Sequence, residues 1–223
     1  MNDLRRGLIA PRQERSKATL DRLLDATEEL LGERPWAEIT VAEIVSRSAT
    51  SVGSFYARFP AKEALVEALL ERYHEEARRS LAAAASSAEW QALSLAERAR
   101  RLIAEIVALC RHRRGLLRLR LQRRLAGLES EANSEPPRDR EVVAALVELF
   151  GGCVPEIGHD QPESALRFAL RMVDGVVISA IALDDVSQSY GPVDDSVLIA
   201  ELTRAFVAYL QAPPGIDPQG MPE

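Results

Sequence analysis

The sequence predicts an all-α protein of about nine helices. Apolar residues recur at three- and four-residue spacing along most of the chain. No sustained alternation of apolar and polar residues with hairpin turns interrupts that pattern. Two stretches, Thr40-Val-Ala-Glu43 and Ser94-Leu-Ala-Glu97, have the spacing of capping boxes, which mark helix starts.

The first helix runs from about Pro11 to Leu31, with Leu20, Leu23, Leu24, Thr27, Leu30 and Leu31 on its inner face. Gly32 and Pro35 end it. Thr40 opens a short second helix that reaches about Ser48. The small residues Ala49, Thr50 and Ser51 form a turn, and a third short helix spans about Val52 to Phe59. Pro60 opens a long fourth helix carrying Leu65, Leu69, Tyr73 and Leu81. Ser94 starts a fifth, which Gly115 breaks or bends before a sixth carrying Leu117, Leu121 and Leu125. Residues 129–138 read as a loop, and a helix from about Asp139 to Gly151 follows. Asp160-Gln-Pro-Glu163 starts a long, largely apolar helix to about Asp185, with proline in its first turn. A last helix covers about Asp194 to Gln211. The remaining proline- and glycine-rich residues, 212–223, read as a disordered tail.

Composition excludes several classes of protein. Hydrophobic residues make up 47% of the 223 and charged residues 28%, a folded rather than a disordered balance. No apolar run approaches the roughly 20 residues that cross a bilayer. The first fifteen residues lack the apolar core of an export signal, and Cys110 and Cys153 are too few for a disulfide framework. The expectation is a cytoplasmic protein. Cys110 and His112 lie on opposite sides of a helix, and His74 and His159 have no neighbours at ligand spacing, so no metal and no cofactor are expected. Nucleophile elbows, phosphate loops and paired carboxylates are missing, which argues against an enzyme. The net charge of −6 describes the average; a nucleic-acid partner needs only a local surface.

Two short helices joined by a turn of three or four residues make a helix-turn-helix, here about 40–59. In that arrangement the second helix enters the major groove of DNA and the first braces it. The stretch from Thr40 to Leu65 resembles the DNA-binding domain of the TetR family of bacterial transcription regulators. The resemblance lies in Thr40, Ile44, Ser51, Gly53, Tyr56, Phe59, Pro60, Lys62 and Glu63-Ala64-Leu65, with Ala26, Leu30-Leu31 and Trp36 ahead of them. It departs where the family turn carries glycine then valine and this chain has Ala49 and Thr50, and where a basic residue often follows Ser51 and this chain has Val52. If the turn requires a positive φ, alanine costs about 1 kcal/mol there against glycine.

The resemblance implies a DNA-binding domain at 1–60 and a helical regulatory and dimerisation domain at 61–211. It implies a double-stranded DNA operator contacted by Thr40, Thr50, Ser51, Val52, Gly53, Ser54, Tyr56 and Lys62. Thr40 and Lys62 would meet phosphates, or serve as a plain helix cap and a solvated lysine. Gly53 would admit a DNA backbone or close packing against the first helix. Arg5, Arg6, Arg12 and Arg15 would form a minor-groove arm or remain solvated. The resemblance further implies a homodimer through the helices at about 163–185 and 194–211, whose apolar surface exceeds one domain's needs. A small-molecule pocket would draw on Leu102, Ile106, Leu117, Leu121, Phe150, Phe168 and Met172, placed by helix position alone. The basic run from Arg111 to Arg124 reads as a solvated face balanced by acids. The function implied is a repressor released from its operator by a ligand. An activator or ligand-independent regulator, and a helical carrier or enzyme with a fortuitous helix-turn-helix, stand as alternatives.

Overall fold

The computed structural model describes residues 12–127, 137–183 and 191–213, and among them every regular element is helical. Ten α-helices follow in order: α1 (Arg12–Glu33), α2 (Val41–Arg47), α3 (Val52–Tyr56), α4 (Lys62–Ala85), α5 (Ala88–Gln91), α6 (Leu95–His112), α7 (Arg114–Leu125), α8 (Pro137–Leu149), α9 (Pro162–Val177) and α10 (Asp195–Gln211). Short 3-10 turns cover Trp36–Glu38 and Gly151–Glu156, and a π-helical turn, Ile178–Ala182, extends α9. None of the described helices is long and apolar enough to cross a membrane. Residues 1–11, 128–136, 184–190 and 214–223, with most of the expected loop at 129–138 and of the expected disordered tail at 212–223, lie outside the described residues.

The chain divides into two compact units between Glu71 and Arg72, inside α4. The first unit is a small helical cluster. Leu23, Leu24, Ala26, Thr27, Leu30 and Leu31 of α1 are buried, the inner face the periodicity predicts; Leu20 is half-buried. Against them pack Ile44 and Val45 of α2, Phe55 of α3, Phe59, and Leu65 and Leu69 of α4. Buried Thr27 satisfies its hydroxyl by donating to the Leu23 carbonyl at 2.7 Å.

The second unit has its own core, in which α10 packs across α6 and α9. Phe150 and Phe206 meet there with ring centroids 5.4 Å apart. Both sequence-predicted capping boxes form: Thr40 and Ser94 each accept the amide of the glutamate three residues on, which reaches back to the cap's own amide. A second carboxylate, Glu156, accepts the Leu95 amide at 3.1 Å and completes the start of α6. Trp90 of α5 is buried in a stretch the periodicity leaves without a helix. The buried guanidinium of Arg98 donates to the carbonyls of Gln91 and Leu93 at 3.2 Å and to that of Leu149, binding α5 and α6 to the end of α8.

Four sequence expectations need correction. The break after α6 falls at Arg113, with φ −104 and ψ 30, while Gly115 lies within α7. Pro137 and Arg138 belong to α8, whose α-helical part ends at Leu149. At α9 the cap is Gln161, and no side chain completes it. The long helix predicted to reach Asp185 keeps α geometry only to Val177, then widens, with the Leu183 amide donating to Ile178 at 3.3 Å.

The basic run is the fifth correction. Arg114 and Arg118, one turn apart on α7, donate their Nε–H groups to the carbonyls of Ile181 and Ala182, each at 2.9 Å. Those carbonyls end the π turn, and positive charge at a helix C-terminus is favourable. Arg111 pairs with Asp195 at 2.8 Å, and Arg113 pairs with Glu76 at 2.8 Å while lying over the Tyr73 ring. Arg111 and Arg113 are thus balanced by acids as expected, whereas Arg114 and Arg118 bind α7 to the end of α9 and are not part of a solvated face.

The end of α10 is capped by a loop as well as by its own Ala212 amide, which donates to the Ala208 and Tyr209 carbonyls. The Gly158 amide donates to the Leu210 carbonyl at 2.8 Å, and His159 Nε2 lies 2.7 Å from the Tyr209 carbonyl. A Cβ at Gly158 would lie 2.7 Å from the Ala212 oxygen and 2.9 Å from that of Gln211, both backbone atoms. Gly158→Ala is therefore expected to destabilise the protein by about 1–3 kcal/mol, the usual cost of forced overpacking, as a lower midpoint of urea unfolding. An unchanged midpoint would show that the loop does not hold α10.

Candidate nucleic-acid interface

The site is built from α2, the turn after it, and α3. Thr40 caps α2: its hydroxyl accepts the Glu43 amide at 3.3 Å, and its own amide donates to Glu43 Oε2 at 2.8 Å. That bond and a second to the same oxygen, donated by the Thr40 hydroxyl at 2.8 Å, with Arg34 nearby, hold the Glu43 carboxyl below its ordinary value of 4.5. The C-terminus of α2 closes in a Schellman turn, in which the residue two past the cap bonds back around a left-handed residue. The Thr50 amide donates to the Val45 carbonyl at 2.9 Å and the Ala49 amide to that of Ser46 at 3.2 Å. Ala49 takes the left-handed position at φ 49, the only non-glycine residue with positive φ among those described. The conditional penalty at this turn therefore applies. Hydroxyls of Ser48 and Thr50 meet at 2.8 Å across it.

Ser51 then caps α3, accepting the Ser54 amide at 3.1 Å and donating to the Ser54 hydroxyl at 2.9 Å. Five residues make a poor helix by themselves; Phe55, fully buried and packed on Phe59 at 5.4 Å, anchors it. What remains faces outward. Val52 is 49% exposed and Tyr56 55%, on one side of the helix with Gly53 and Ala57. A Cβ at Gly53 would meet only Ser51 Oγ, at 3.9 Å. Close packing against α1, one of the two reasons open for this glycine, is therefore removed.

The eight sequence-predicted residues thus separate. Ser51, Val52, Gly53 and Tyr56 share the exposed surface of α3; Thr40 is exposed at the start of α2; Thr50 and Ser54 are half-buried and held in local hydroxyl contacts. Lys62 is different. Its ammonium donates to the Trp36 carbonyl at 2.8 Å and to that of Ile39, and stands 4.1 Å over the Trp36 ring. Burial lowers its pKa. It clasps the 36–39 turn to the start of α4, a role that sequence spacing does not reveal. Arg58 likewise turns back, donating to the Ser16 carbonyl at 2.8 Å and its hydroxyl at 2.9 Å. On the far side of α2, Arg47 pairs with Glu33 at 2.8 Å and Arg34 with Glu43 at 2.8 Å. Of the arm arginines, Arg5 and Arg6 lie outside the described residues, and Arg12 and Arg15 begin α1.

In the second unit, Leu102 and Phe150 are wholly core residues, and Ile106, Leu117 and Met172 are half-buried against that core. Leu121 is half-buried on α7. Phe168 does not turn inward: it is 51% exposed on α9, against the Tyr209 ring at 5.3 Å. The structure therefore removes it from any internal pocket. A polar group that the sequence reading missed lies nearer the core. Burial raises the Tyr73 hydroxyl, and burial followed by the charge of Asp174 pushes the Cys110 thiol up to about 11, against the pull of Arg120. Among the described residues, no three His, Cys, Asp or Glu side chains are grouped to hold a metal.

Residues 23–69 match the family model of the bacterial regulatory proteins of the tetR family. A TetR transcription regulator from Haloarcula marismortui shares the fold with a TM-score of 0.65 at 19% identity, covering 87% of this chain and 97% of its own. Salmonella enterica GusR matches at 0.61 and 20%, over 87% and 96%. FadR from Bacillus subtilis, in complex with stearoyl-CoA, matches at 0.56 and 14%, over 85% and 98%. No curated protein sequence matches the chain. Residues 23–69 thus resemble the tetR family, and the chain as a whole shares the fold of these solved structures.

Two outcomes follow for this region. Ala49→Gly relieves the left-handed alanine and is expected to raise stability by about 1 kcal/mol, measured as a higher denaturation midpoint. A fall would mean that the turn is not left-handed. Because its pKa is about 11, Cys110 remains a thiol at neutral pH, and thiolate is the reactive form. Native protein should react far more slowly with a disulfide reagent than the unfolded chain does; rapid native labelling at Cys110 would contradict the burial described.

Proposed function

We propose that the chain is a homodimeric transcription regulator that binds an operator through α3 and is released from it by a small molecule held in the unit from Arg72 onward. The observation that carries the DNA-binding part is Gly53. Glycine inside a helix costs about 1 kcal/mol against alanine. Gly53 has no positive φ and no crowding neighbour to justify that cost. The remaining reason lies outside the chain, in a partner that approaches the α3 backbone closely. A helix-turn-helix places that face in the major groove of DNA.

The same argument supports the dimer. Gly175, inside α9, also has open space where a Cβ would stand. It shares the exposed side of α9 with Phe168 and Val176, 51% and 44% exposed, and Val197 of α10 is 49% exposed. Large apolar side chains left in water on two adjacent helices suit a twofold helical interface. The interface would use α9 and α10 within the predicted segments 163–185 and 194–211; residues 184–190 lie outside the described residues. Support for ligand control comes from structural neighbours, among them FadR with its stearoyl-CoA and a gamma-butyrolactone receptor. A small molecule that binds the two DNA-spacing states unequally would shift operator affinity by the ratio of its affinities. Cytoplasmic placement belongs to this reading, as does the lack of an enzymatic role.

Gly53→Ala tests the first part through two opposed effects. Thermal stability should rise, by about 1 kcal/mol, while affinity for DNA from the region upstream of the gene falls about ten-fold or more in a gel shift. Undiminished affinity would overturn the reading of α3. For the dimer, Phe168→Arg combined with Val197→Arg should give folded monomers by light scattering. A variant that stays dimeric would place the interface elsewhere.

A further inference from the structure

We infer that α3 reads thymine through its 5-methyl group, with Val52 as the reading side chain. The inference rests on the DNA-binding reading above and adds to it the base that is recognised.

It follows from what α3 has left to offer. The Thr50 hydroxyl lies 2.8 Å from that of Ser48, and the Ser51 and Ser54 hydroxyls bond each other at 2.9 Å. Gly53 and Ala57 have no polar side chain, and Phe55 is buried. The Arg58 guanidinium is turned back to Ser16, and Arg47 is paired with Glu33 and Glu29. Two large side chains project from the surface, Val52 and Tyr56, four residues apart and so on one face.

Base pairs in the major groove are told apart by a small set of partners. Arginine or lysine reads guanine, and asparagine or glutamine reads adenine through paired hydrogen bonds. None of those side chains occurs between Ser48 and Ala57. Serine and threonine hydroxyls accept or donate and so discriminate weakly. Thymine alone among the four bases carries a methyl group in that groove, and apolar contact recognises it. Val52 is an aliphatic group, half exposed, at the first position of the helix. Tyr56 is longer and ends in a hydroxyl, which suits a backbone phosphate that positions the helix without specifying a base. The missing side chain at Gly53, between them, lets the helix sit close enough for a branched side chain as short as valine to reach a methyl group.

The test uses the full-length protein and a pool of random-sequence DNA duplexes. Bound duplexes are sequenced, and the consensus is resynthesised with deoxyuridine replacing thymine one position at a time, which removes only the methyl. At one or more thymines per half-site, wild type should bind the uridine duplex about four-fold more weakly, the effect of burying one methyl-sized group. Val52→Ala, with a melting temperature matching wild type, should bind the thymine and uridine duplexes equally at those positions. Tolerance of uridine at every position, or undiminished uridine sensitivity in Val52→Ala, would overturn the inference while leaving DNA binding in place. Failure to select any duplex would remove the DNA-binding reading and this inference together.

Discussion

The functional surface depends on one turn. At Ala49 the backbone crosses into the left-handed region, and the Thr50 and Ala49 amides close back onto the last carbonyls of α2. That closure satisfies groups that the helix end would otherwise leave unbonded. It also sets the direction in which the chain leaves α2. Ser51 can then cap α3 at once, and Phe55 drops into the core. Each step fixes the next. An alanine at the turn adds a modest local cost, which the surrounding packing bears without a change of geometry. The exposed Val52–Tyr56 face is a consequence of this sequence of bonds, not of any helix propensity in five residues.

In the second unit the recurring problem is how helix ends are satisfied, and the solutions come from distant residues. Glu156 completes the start of α6, Arg98 takes the last carbonyl of α8, and the Gly158 amide takes one from α10. Arg114 and Arg118 do the same for the π turn after α9. These links connect every long helix of the unit to a neighbour through directional bonds as well as apolar contact. π turns arise where a helix takes an extra residue and loosens its ladder. Here the carbonyls at the end of the π turn are held by arginines of α7, which ties α7 to the end of α9.

Much of this was legible in the sequence, and the division is physical. Local rules reached the capping boxes at Thr40 and Ser94, the inner face of α1 and the helix-turn-helix itself, because each depends on residues within one or two turns. The φ at Ala49 was legible only as a condition, since a short turn of small residues admits either sign. Roles that depend on distant partners were not legible. Lys62 reads as a free cation until the Trp36 and Ile39 carbonyls are brought beneath it. The arginines of α7 read as a solvated face until the end of α9 arrives beside them. Phe168 reads as lining by helix position alone; its place on the outward side of α9, against Tyr209, depends on how α9 packs on α10. Gly53 was legible as an anomaly, and only coordinates could show that nothing inside the chain requires it.

On the function proposed above, DNA fills the open space over Gly53. Amide hydrogen exchange of the full-length protein, with and without a bound consensus duplex, tests it directly. Exchange across Val52 to Ala57 should slow on binding. Protection confined to residues beyond Arg72, with Val52 to Ala57 exchanging as in the free protein, would contradict it.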